Sequence, residues 1–103
     1  MSKRLALFDQ LISAGSKDPF HHYARALELR SLGRASDALE ALAGTIALFP
    51  EYVPSYLIAA QLAVEQGDSA RARELASEGM MAAKRAGNDH ALGELEALLQ
   101  GLP

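Results

Sequence analysis

The sequence predicts an all-α protein of about six helices joined as antiparallel pairs. Apolar residues recur every three or four positions along most of the chain, with strong helix formers between them. No stretch alternates with period two for long enough to make a strand. Glycine and proline interrupt the pattern at regular intervals, so the helices are short rods separated by tight turns. At 103 residues and 50% hydrophobic, the chain is long enough for one domain, residues 1–103, with its own core.

Each element follows from its punctuation. Ser2 is placed to cap a first helix running to Ala14, with Gly15 as its left-handed exit. Asp18-Pro19 puts an acid at a cap and proline in the first turn, which starts a second helix ending at Gly33. A third spans roughly Ser36 to Phe49, with Leu39, Leu42, Ile46 and Phe49 on one side, and ends before Pro50. A fourth runs from about Pro54 to Gln66 and stops at Gly67. The fifth runs from about Ser69 to Ala86, closes on Lys84-Arg85 and exits at Gly87. The sixth starts at Asp89 and carries Leu92, Leu95, Leu98 and Leu99. Ser36 and Ser69 read as helix-start residues whose hydroxyls take up free backbone N–H groups.

Paired helices invite a test for a repeat. A shift of 34 residues places Gly33 on Gly67, Ala26 on Ala60, Ala38 on Ala72 and Glu40 on Glu74. These are useful positions in a helical hairpin. The two glycines sit where the chain must turn, and a positive φ costs glycine little. The four alanines sit where helix axes approach most closely. This pattern resembles the tetratricopeptide repeat, a helix–turn–helix unit of about 34 residues. Its bulky residue early in the first helix is matched by His22 and Tyr56, and its small residue in the second helix by Ala38 and Ala72. The sequence departs from it at Arg25 and Ala59, at Leu29 and Ala63, and at Ala76 where Leu42 stands one repeat earlier. The closing proline is present as Pro50 and absent at Lys84, so the first repeat fits better than the second. The resemblance covers residues 19–52 and 53–86.

Residues 1–18 and 87–103 are each long enough for one more helix, and a repeat array needs such helices to cover its ends. Leu5, Phe8, Leu11 and Ile12 would cover one end, and Leu92, Leu95, Leu98 and Leu99 the other. The resemblance therefore implies a short right-handed superhelix, an α-solenoid with both ends capped.

Charge narrows the function. The net charge of −3 lacks the basic excess of a nucleic-acid binder, and the acids concentrate in residues 51–103. No run approaches the ~20 apolar residues of a membrane span, and Asp9 and Gln10 break the apolar stretch after Lys3-Arg4 short of an export signal. A cytoplasmic location is expected. The absence of cysteine excludes a disulfide framework and a thiolate nucleophile.

The chain offers little chemistry of its own. His21 and His22 are adjacent, about 100° apart on a helix, so they do not grip one ion from one face. His22 is expected to be partly buried and His21 to face solvent. With His90 distant in sequence, no metal and no cofactor are expected. None of the serines sits in a nucleophile motif, and Glu94 and Glu96 point to different sides of a helix. No catalytic residue is expected.

The informative set is the face of each repeat's first helix. In tetratricopeptide arrays these helices line the concave surface. Helical spacing puts Tyr23, Leu27 and Arg30 on one stripe and Leu57, Gln61 and Val64 on its equivalent. The lysines and asparagines of the family's carboxylate clamp are missing there. The reading is a non-catalytic interaction module that binds a protein or peptide through an apolar groove, with Arg30 as its one strong cation. Alternatives are a homodimer packed through the stripe, a stripe covered by a terminal helix, and a small histidine-based metalloprotein.

Overall fold

In the computed structural model, which describes residues 2–103, six helices follow one another: α1 (Lys3–Ser13), α2 (Pro19–Ser31), α3 (Ala35–Leu48), α4 (Pro54–Glu65), α5 (Ser69–Ala86) and α6 (Asp89–Gln100). Residue 1 of the expected segment 1–18 lies outside the described residues. Each helix packs against the next, and α6 also touches α4. The result is a helical-repeat solenoid, 37 × 29 × 19 Å, with no strand among the described residues.

Local chemistry sets most boundaries. The Ser2 hydroxyl accepts from the Leu5 N–H and donates to Glu28, which caps α1 and ties it to α2. Asp18 accepts from the Phe20 N–H with Pro19 in the first turn. Gly15, Gly33, Gly67 and Gly87 all have positive φ, and at Gly33 and Gly67 the value is the same, 77°. A Cβ at Gly33 or Gly67 would meet nothing within 4 Å, so the backbone conformation alone makes the demand for glycine there.

Two serines do not do what the sequence suggested. The residue ahead of α5 is Asp68, and its carboxylate accepts from the Arg71 N–H, leaving Ser69 as the first helical residue. At α3 the flanking residue is Arg34, with no side-chain cap, and Ser36 lies inside the helix. The Ser36 hydroxyl accepts from Gln66 Nε2 at 3.1 Å and so links α3 to the end of α4. Phe49 falls just outside α3, with φ −132°, which turns its ring onto His22 at 5.1 Å.

The core is dominated by small residues. Ala26, Ala38, Ala60 and Ala72 are fully buried, together with Ala59, Ala63, Ala76, Ala82 and Ala83. Gly79 marks the tightest approach, since a Cβ there would lie 2.5 Å from the Tyr56 Cβ and 3.0 Å from a Leu95 methyl. Tyr56 turns its hydroxyl outward to donate to the Pro50 carbonyl at 2.6 Å, so the proline loop is latched to α4. Leu29, Leu42, Leu62 and Leu95 are the large side chains fully buried among these alanines.

Candidate protein-docking groove

The helices α2, α4 and α6 contribute residues to one face, and α4 runs down its middle. Twelve residues of α4 give a floor about 18 Å long. At its C-terminal end lies a cavity of about 420 Å³, bounded by Arg30, Gln61, Val64, Glu65, Leu98 and Leu102. At its N-terminal end lies a second, of about 260 Å³, bounded by Tyr23, Pro54, Leu57, Ile58, His90, Ala91 and Glu94. An extended segment rises ~3.3 Å per residue, so a floor of this length accommodates about five or six residues.

Five residues of the expected stripe are divided between these cavities, and Leu27 lines neither. Tyr23 and Leu57 meet at one, while Arg30, Gln61 and Val64 meet at the other. Leu27, Leu57 and Gln61 are half-buried, and Val64 is 42% exposed. Tyr23 stands edge-on to Tyr52 with ring centroids 5.6 Å apart. Burial pushes the Tyr23 phenol pKa up, Tyr52 adds to the shift, and the nearby Arg30 guanidinium opposes it. Burial likewise raises Tyr52, helped by the Asp18 carboxylate.

Arg30 is not the free cation of an apolar groove. Its guanidinium donates to Glu65 at 2.9 Å, from α2 across to α4. The sequence placed Glu65 only among the charged neighbours of the stripe, because residues 35 apart give no sign that they pair.

The sequence also missed the third wall. Helix α6 covers α5, as a cap should, but it also lies beside α4 and brings Ala91, Glu94 and Leu98 to the groove. The signal was present: Gly101 follows Gly67 at the interval that separates Gly67 from Gly33, and Ala91 and Leu98 stand at the same interval from Leu57 and Val64. Gly101 keeps helical dihedrals, φ −79°, so the spacing recurs without the left-handed turn.

The histidines are dispersed. His21, expected to face solvent, is half-buried, with Nδ1 2.6 Å from the Ser16 hydroxyl. His22 is half-buried against Phe49, its Nε2 3.3 Å from the Ser16 carbonyl. His90 is on α6, 87% exposed, beside Glu94. Among the described residues no three His, Asp or Glu side chains gather as a metal ion would need.

Antiparallel helices of repeat spacing around a shared inner face define the class: a helical-repeat protein. Solved structures sharpen it. A tetratricopeptide repeat domain protein from Salinibacter ruber is 28% identical in its crystal structure, covering 81% of this chain and 93% of that one at a TM-score of 0.77. A solution structure of a tetratricopeptide repeat domain protein from the same organism is 27% identical, covering 82% and 85% at 0.78. A Bordetella parapertussis protein, 20% identical, shares the fold across 97% of this chain and 87% of its own at 0.80. No family model matches the chain, and no curated protein matches it. The chain is a tetratricopeptide-like protein, a helical repeat module of a kind generally involved in protein interaction and typically non-catalytic. No helix is long and apolar enough to cross a membrane among the described residues.

Proposed function

We propose that this chain is a non-catalytic docking module that holds a protein or peptide partner in the groove along α4. The domain is read as residues 1–103, with repeats at 19–52 and 53–86 flanked by terminal helices, working in the cytoplasm. The observation that carries the reading is the pair of cavities on a floor of Leu57, Gln61 and Val64, flanked by α2 and α6. Leu57 and Val64, apolar and partly exposed two turns apart on one helix, are anchors for a bound segment, with the polar Gln61 between them. The half-buried Leu57 floors the Tyr23-end cavity, one helical turn before Gln61 at the other.

Leu57→Glu tests the reading. A carboxylate buried without a partner costs several kcal/mol, and each ~1.4 kcal/mol is a tenfold loss of affinity. Proteins captured from a native cell extract by the wild-type chain should be lost by the variant, while circular dichroism and cooperative melting persist. Light scattering on both chains reports whether the occupant is a second copy. A folded Leu57→Glu chain that keeps every partner and the same mass overturns the assignment.

A further inference from the structure

We infer that the cavity at the Tyr23 end of the groove receives a lysine or arginine side chain of the docked partner, with Glu94 as its counter-charge, so that the partner lies in one direction only. This rests on the groove reading and adds to it the chemistry of the occupant. The two ends of the groove differ in how their charges are satisfied. At the Arg30 end a cation and an anion already neutralise one another across two helices, at 2.9 Å, beside the apolar Val64 and Leu98. At the Tyr23 end, with histidine counted as neutral, Glu94 is the one formal charge of the cavity.

Glu94 has a contact that exchanges readily. Its carboxylate lies 3.0 Å from His90 Nε2, one turn away on the same helix, and the imidazole is 87% exposed. An exposed pair of this kind contributes little to the fold. Below the carboxylate, Leu57, Ile58 and Ala91 make a half-buried apolar floor. An apolar channel with a single acid at its rim matches a side chain that is hydrocarbon along its stem and cationic at its tip. Tyr23 lines the same cavity, and aromatic rings beside a cation site attract the charge.

The test uses the full chain and fluorescein-labelled, acetylated and amidated peptide pools of about eight residues, read by anisotropy. Each pool fixes two leucines and places lysine, norleucine or glutamate at one further position. The lysine pool should bind about tenfold tighter than the norleucine pool, a modest value for a close charge pair at an interface, with glutamate weakest. Glu94→Gln should erase the lysine advantage, and Glu94→Lys should reverse the order in favour of glutamate. Equal binding of the lysine and norleucine pools, or a lysine preference that survives Glu94→Lys, overturns the basic socket. Leu57→Glu, read on the norleucine pool, which brings no cation to pair with the new carboxylate, separates the two levels. If it abolishes norleucine-pool binding while Glu94→Lys leaves the lysine preference untouched, the groove stands and the socket falls. If Leu57→Glu leaves norleucine-pool binding unchanged, or no pool binds the wild-type chain, both fall.

Discussion

The hairpin of α2 and α3 matches the repeat pattern more closely than that of α4 and α5, yet the second hairpin is the one that makes the core. In the first, Ala26, Leu29, Ala38, Leu39, Leu42 and Thr45 are buried. In the second, burial extends along the length of both helices, from Ser55 to Ala63 and from Ala72 to Ala83. The departures that weakened the match, Ala59, Ala63 and Ala76, are all fully enclosed. Pattern fit measures how a hairpin packs on itself, whereas burial follows its place in the stack. Helix α4 has α3, α5 and α6 around it, while α2 has α3 and an α1 in which no residue is fully buried. A hairpin in the middle can use alanine where one nearer the edge needs leucine, because neighbouring backbones supply the missing volume.

The sharpest way to break this comparison is to exchange side-chain size at equivalent positions. Leu42 and Ala76 stand one repeat apart and are both fully buried. Leu42→Ala should cost about 2–5 kcal/mol in urea denaturation, and Ala76→Leu about 1–3 kcal/mol through overpacking. A stabilising Ala76→Leu would mean that the second hairpin has room that its burial denies.

Glycines make a smaller contrast. Gly79→Ala places a Cβ 2.5 Å from the Tyr56 Cβ, so α4 and α5 must move apart, at about 1–3 kcal/mol. Gly44 also lies within a helix, but a Cβ there meets nothing within 4 Å, and Gly44→Ala should stabilise by roughly 0.5–1 kcal/mol. Thermal melts of the two variants should move in opposite directions. A shift of the same sign in both would remove the close approach as an explanation.

A latch gives an effect of similar size. Tyr56→Phe removes the hydrogen bond to the Pro50 carbonyl and should cost about 1 kcal/mol at neutral pH. Burial raises the Tyr56 pKa, with the Glu78 carboxylate adding and Arg85 opposing. A raised folded pKa means that the unfolded chain gives up its phenol proton first. The contribution of Tyr56 is therefore complete below the ordinary tyrosine range, near pH 10, and lost as pH climbs through the folded value. The melting temperature of the wild type should fall more steeply above about pH 10 than that of Tyr56→Phe. Parallel alkaline limbs would show that the phenol is not coupled to folding.

The sequence by itself determined the helices, their pairing and most of their ends, though not the Asp68 cap of α5 or the uncapped start of α3. Gly33 and Gly67 at one interval specify left-handed turns, and Asp18-Pro19 specifies a helix start, because these demands lie within a few residues of backbone. It also put Tyr23, Leu27 and Arg30 on one helical stripe and Leu57, Gln61 and Val64 on another, since helical spacing alone settles which residues share a face. Tertiary structure decided what depends on distant neighbours. The pairing of Arg30 with Glu65, the notch at Gly79 against Tyr56 and the use of α6 as a third wall all join segments far apart in the chain. Short-range periodicity specifies the direction in which a side chain points; what it meets there depends on how the helices stack.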